Sequence, residues 1–197
     1  MKIALLDLGF GNLHSLAKAF SSIAPDTEVT IAPRVSDASH ADLWVLPGVG
    51  GWSAVSLEQH RETLRAALER GQPCIGICLG MQLLFDDSEE GAGKGIGFFE
   101  GSVTRLSSAR RPHMGWSRVA GTERAGSLAV PHAAYFAHSF ACRPRDEATV
   151  VATTTIEGDT FACVAEKKRT IGIQFHPEKS STEGIAFLAS AVRRVTA

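Results

Sequence analysis

Nothing limits the possible folds of this chain more than the alternation of strand-like and helix-like runs over its first half. KIALLDL (residues 2–8) reads as a buried strand, and NLHSLAKAFSSIA (12–24) as an amphipathic helix entered after two glycines. TEVTIAP (27–33) and DLWVLPG (42–48) repeat the strand pattern, and SAVSLEQHRETLRAALERG (53–71) is predicted as a helix ended by Gly71. PCIGI (73–77) is the next strand, leading into a helix that begins near Leu79. Strands alternating with helices demand crossover connections, so the expectation is a central, mostly parallel sheet flanked by helices in a three-layer α/β sandwich. Beyond residue 95 the texture becomes β-rich: GFFEGSVTRL (97–106), AAYFAHSFAC (133–142), TVVATTTI (149–156), TFACVAEK (160–167) and TIGIQF (170–175). A last helix, TEGIAFLASAVRRV (182–195), follows. No repeat, linker or low-complexity tract divides the chain, so residues 1–197 are read as one domain.

Charge narrows the classes of partner. Twenty basic and twenty-one acidic residues leave a formal charge of -1, which gives no electrostatic footprint for nucleic acid or an acidic membrane. No apolar run approaches a membrane span, and the first apolar stretch, broken by Asp7, is no signal peptide, so a cytoplasmic location is expected. The cysteines, Cys74, Cys78, Cys142 and Cys163, show neither Cys-x-x-Cys nor zinc-site spacing, and no metal is expected. Three of them lie in apolar strand-like segments and read as small buried hydrophobes. Three glycine-rich loops fail as phosphate cradles. GFGNLH has His14, and GVGGWS has Ser53, where the dinucleotide fingerprint needs glycine or alanine. SEEGAGKG lacks both the leading glycine and the hydroxyl residue after Lys94. A non-enzymatic nucleotide-binding module is therefore a weakly supported alternative.

Cys78 is different. Gly76-Ile77-Cys78-Leu79-Gly80 has the form of a nucleophile elbow with cysteine in place of serine. A sharp strand-to-helix turn needs small residues two positions to either side, and it places the sulfur at a helix N-terminus, which favours thiolate over thiol. On this motif alone, a buried cysteine beside an ordinary turn is an equal reading. A nucleophile needs a base and the base an orienter. Far downstream, TIGIQFHPEKS ends an apolar run at His176, with Glu178 two residues on. In an extended chain those two side chains project to one side, and Pro177 biases His176 toward that conformation. The joint pattern is a Cys78–His176–Glu178 triad. Oxyanion donors are expected from the Leu79 N–H and from LPGVGG (46–51), at Val49 and Gly50.

The elbow with QFHPE resembles the class I (triad) glutamine amidotransferases. GFGNLHS, LPGVGG, RPHMGWS, YFAHSF and QFHPEKS, in that order along essentially the whole chain, resemble the glutaminase subunits of imidazole glycerol phosphate synthases within that family. The resemblance implies that Cys78 attacks the side-chain amide of glutamine, with Gly50, Gln82, Ser139 and Phe140 holding it. It implies no cofactor. It also implies a heterodimer with a (β/α)8-barrel cyclase subunit, contacted through Asn12, Trp116, Tyr135 and Lys179. The cyclase would use the ammonia to form imidazole glycerol phosphate and aminoimidazole carboxamide ribonucleotide in histidine biosynthesis, so lyase activity belongs to the two-subunit synthase. Ser117 stands where the family usually has asparagine, and Phe140 where tyrosine is commoner. Subunits serving pyridoxal phosphate or anthranilate synthesis are the neighbouring alternatives. For a lone tryptophan such as Trp116, burial in the core is the competing expectation.

Overall fold

The computed structural model describes residues 1–7, 9, 13–23, 26–48, 50–52 and 57–197. Five strands form the parallel part of the main sheet: β1 (Lys2–Leu6), β2 (Glu28–Ala32), β3 (Leu43–Leu46), β4 (Cys74–Ile77) and β13 (Thr170–Ile173). They lie in the order β2-β1-β3-β4-β13, each parallel to its neighbour. The sheet continues antiparallel through β12 (Asp159–Lys167), β10 (Phe140–Pro144) and β6 (Gly101–Arg105), and the short β5 (Asp87–Ser88) pairs with β6 in parallel. Two further strands, β11 (Val150–Ile156) and β8 (Ala120–Gly121), extend it beside β12, giving eleven strands among the described residues.

Alternation along each strand sorts the core into two layers. Ile3, Leu5, Val45, Ile75 and Ile77 pack on one face with Leu16 and Phe20 of α1 (Leu13–Ile23) and Phe187 and Leu188 of α4 (Ser181–Thr196). Ala4, Leu6, Trp44 and Leu46 pack on the other, with Leu64 and Leu68 of α2 (Arg61–Glu69) and Leu79 and Met81 of α3 (Leu79–Gln82). The three-layer α/β sandwich expected from the sequence is the observed architecture.

Two boundaries differ from expectation. Among the described residues, the helix predicted over 53–71 covers Arg61–Glu69. Among its described residues, Leu57 instead opens a turn, its carbonyl accepting from the N–H groups of both His60 (2.9 Å) and Arg61 (2.8 Å). Its end is as expected: Gly71, at φ 93°, closes a Schellman motif in which Gln72 donates to Ala67 and Gly71 to Leu68. The segment AAYFAHSFAC is two strands. Among the described residues β9 (Ala133–His138) pairs only with β7 (His113–Arg118), in a separate two-stranded sheet, and after Ser139 the chain joins the main sheet as β10.

Candidate active site

Parallel strands bring their C-terminal ends to one edge, which is where α/β sheets build sites. β4 and β13 are adjacent and in register, with Gly76 opposite Gly172 and Ile77 opposite Ile173. The residues leaving these two ends are therefore neighbours. Cys78 donates its backbone N–H to the Ile173 carbonyl at 2.6 Å, and two residues past Gln174 the chain reaches His176.

The elbow is strained, and steric necessity explains its glycines. Cys78 holds φ 52°, ψ −109°, a conformation that ordinary side chains avoid. A Cβ on Gly76 would lie 2.6 Å from the Gly80 carbonyl oxygen, and one on Gly80 would overlap the Leu46 carbonyl. A Cβ on Gly48 would fall onto the Ile77 carbonyl and within 2.5 Å of the Leu79 nitrogen. The loop after β3 thus packs backbone to backbone against the elbow. Leu79 is the first residue of α3, so no preceding carbonyl of the helix can take its N–H, which is left for a ligand. Gly50 sits nearby at φ 140° and lines the same cavity as Cys78; Val49 lies outside the described residues.

His176 and Glu178 meet as their spacing suggests, with Nδ1 2.9 Å from Oε1 and both side chains almost wholly buried. Pro177–Lys179 form a single 3-10 turn, and Ser180 braces it by donating to the His176 carbonyl at 2.6 Å. Burial alone would lower the His176 pKa. Contacts with Cys78 and Glu178 outweigh it and push the pKa up to about 9, so the imidazole holds a proton at neutral pH. Glu178 Oε2 is buried with no partner among the described residues, leaving the carboxylate's charge directed at the histidine alone.

A cavity of about 190 Å³ opens over Cys78, lined by Gly50, Leu79, Gln82, Glu90, Pro112 and the stretch Ala137 to Phe140. Gly50, Gln82, Ser139 and Phe140, named from the sequence for glutamine, all border it. Sequence reasoning missed Glu90, which lies in SEEGAGKG, a loop that resembles only a failed phosphate cradle, and whose carboxylate accepts from the Trp52 N–H at 3.1 Å. It also missed Gln174 and His138. Gln174 was visible only as the residue before Phe175 in a strand-like run. His138 has no carboxylate partner nearby in sequence; its Nδ1 meets the Phe140 carbonyl at 2.8 Å, and burial drives its pKa down to about 4. Among the described residues no His, Cys, Asp and Glu group could hold a metal ion.

The remaining cysteines are buried, and burial pushes the thiols of Cys74, Cys142 and Cys163 well up. Of the four interface residues named from the sequence, Trp116, Tyr135 and Lys179 come together. Trp116 and Tyr135 pair across β7 and β9 with ring centroids 6.4 Å apart, and Lys179 Nζ lies 6.0 Å from the Tyr135 ring. Asn12 lies outside the described residues. Trp116 is 54% exposed and Met114, two residues earlier on the same face, 66%, so Trp116 is no core residue.

The glutamine amidotransferase class-I family model matches residues 4–194. The chain belongs to that family. It is 40% identical to the imidazole glycerol phosphate synthase subunit HisH of Zymomonas mobilis, over 95% of this chain and 93% of that protein. It is 38% identical to the subunit of the same name from Pyrococcus furiosus, over 95% and 96%. Among solved structures, a crystal structure of a glutamine amidotransferase superposes with a TM-score of 0.74 at 15% identity, covering 99% of each chain. The structure of PurLQS from Thermotoga maritima does so with 0.72 at 17%, covering 98% of this amidotransferase and 97% of the other chain. At such identities the two structures speak to the fold alone. No helix among the described residues is long and apolar enough to cross a membrane.

Proposed function

We propose that Cys78, His176 and Glu178 are the triad through which this chain, the glutaminase subunit of imidazole glycerol phosphate synthase, releases ammonia from glutamine. The observation that carries the reading is the strained, glycine-bracketed Cys78, which borders the cavity while its side chain meets the buried His176–Glu178 pair behind it. Cys78 Sγ attacks the side-chain amide carbon of glutamine, and the developing oxyanion is held by the Leu79 N–H and an amide of the Val49–Gly50 peptide. His176 gives its proton to the departing nitrogen, the C–N bond breaks, and ammonia leaves a glutamyl thioester. A water then attacks the thioester, its proton passes to His176, and glutamate leaves as the sulfur is restored. Glu178 holds Nδ1 protonated, so that Nε2 is the nitrogen that works.

The cavity suits the rest of glutamine. The Gln82 carboxamide and the Glu90 carboxylate offer acceptors to its α-ammonium, and the backbone at Ser139 and Phe140 frames its carboxylate. Released ammonia passes to a cyclase subunit in a heterodimer, docked on the exposed face that carries Trp116, Tyr135 and Lys179, with Asn12 contributing. A large aromatic standing half in solvent beside a second ring is the kind of anchor that interfaces use.

The test is Cys78→Ala in the assembled complex. Glutamine-dependent synthesis should fall by several orders of magnitude while synthesis from added ammonium salt persists. Loss of both would make Cys78 a structural residue and sink the assignment.

A further inference from the structure

One backbone oxygen dictates the polarity of a hydrogen-bond chain that ends on the nucleophile. The Phe140 carbonyl can only accept, and it takes two donors, Gln82 Nε2 at 3.0 Å and His138 Nδ1 at 2.8 Å. That contact fixes the Gln82 amide with its nitrogen toward Phe140. The second N–H of the same nitrogen is directed at Gln174 Oε1, 3.2 Å away. Gln174 must therefore turn its carbonyl to Gln82 and its NH2 the other way, where Nε2 lies 3.7 Å from Cys78 Sγ. The reverse orientation would set the two NH2 groups against each other at Gln82 and turn a second acceptor, besides the Ala137 carbonyl 3.9 Å away, toward the sulfur.

Gln174 reaches the sulfur because the β4–β13 register carries on by one residue past Ile77 and Ile173. It is fully buried, so water does not compete for its amide. An N–H aimed at sulfur is a better partner for thiolate than for thiol. We propose that Gln174 is a positioning residue for the nucleophile: its amide, locked through Gln82 by the Phe140 carbonyl, donates to Cys78, favours the thiolate and fixes its direction. This rests on the reading of Cys78 as the nucleophile.

The experiment reads thiol reactivity in the full chain, for the wild type, Gln174→Leu and the length-preserving Gln174→Met. Iodoacetamide labelling is followed residue by residue by peptide mass, with buried Cys74 and Cys163 as internal reference for an intact fold, since Cys142 Sγ itself lies 3.9 Å from Gln174 Oε1. Both variants lack the donor, and Cys78 labelling at neutral pH is expected to slow by about tenfold or more, the usual worth of a hydrogen bond to an ionised group. The deficit should close in strongly alkaline buffer, where the thiol ionises unaided. A merely displaced loop would slow labelling equally at every pH, and that result would overturn the proposal. Fast wild-type labelling of Cys78 that neither variant changes would overturn it too, while leaving the nucleophile in place. Wild-type labelling of Cys78 no faster than that of the buried cysteines would instead overturn the nucleophile reading itself.

Discussion

Glu178→Gln isolates the charge of the orienting residue from its shape. The carboxylate oxygen is 2.9 Å from His176 Nδ1, and the two side chains are only 6% and 3% exposed, so solvent screens the pair little. At an effective dielectric of about 20, a full ion pair at that distance is worth roughly 6 kcal/mol before desolvation is subtracted. The net loss on removing one charge from a buried charge-assisted hydrogen bond is smaller, about 1.5–3 kcal/mol. Glutamine can still accept from Nδ1–H through its own Oε1, so the tautomer survives and only the stabilisation of imidazolium is lost. Glutaminase turnover with the cyclase subunit present should therefore fall roughly ten- to a hundredfold, well short of the loss in His176→Ala. In the same variant, the NMR titration of the His176 ring should move down from about 9. Unchanged turnover together with an unmoved midpoint would refute the argument, because both effects come from one charge.

The raised His176 pKa has a sign that can be checked in stability. A histidine whose folded pKa, about 9, exceeds its ordinary value of 6.5 stabilises fully below pH 6.5 and loses that contribution as pH climbs to 9. The stability advantage of the wild type over His176→Gln, measured by urea unfolding, should shrink across that window by at most about 3 kcal/mol. Gly80→Ala forces a Cβ into the Leu46 carbonyl, so it should destabilise by about 1–3 kcal/mol and disturb the elbow; a thermal midpoint equal to wild type would contradict the packing. Trp116→Ala should weaken binding of the cyclase subunit in calorimetric titration while leaving the thermal midpoint unchanged, since the ring is half exposed. Unfolding of that variant would return Trp116 to the core.

The parts of the site that the sequence made legible are those in which one short segment carries its own geometry. Glycines two residues either side of Cys78 announce a turn that only glycines can flank, and the overlap at Gly76 and Gly80 is the physical reason. His176 and Glu178 are two residues apart, and spacing alone lets them meet. What stayed hidden depends on segments brought together by the fold. Gln174, Gln82 and Phe140 come from the end of β13, from α3 and from the start of β10, and nothing local in any of them points to the others. Glu90 joins the cavity from a loop whose composition suggested only a failed phosphate site. The helix predicted over 53–71 began too early because its helical apolar spacing includes Leu57, which is buried but sits in a turn. The break in AAYFAHSFAC was invisible because Ser139 keeps the apolar texture while the chain changes sheets.

Strand β9 couples two surfaces that function treats separately. The Tyr135 side chain packs with Trp116 on the outer face of the small sheet, while the Tyr135 carbonyl accepts the His176 N–H at 2.9 Å and its own N–H is held by Ser180 Oγ at 2.9 Å. Ser180 also grips the His176 carbonyl. The peptide that carries the outer aromatic is therefore the one on which His176, the proposed base, is hung, with no residue between them. In mechanical terms β9 is a short lever whose one end is the Tyr135 ring and whose other is the His176 backbone, joined by direct hydrogen bonds rather than by a relay of core side chains.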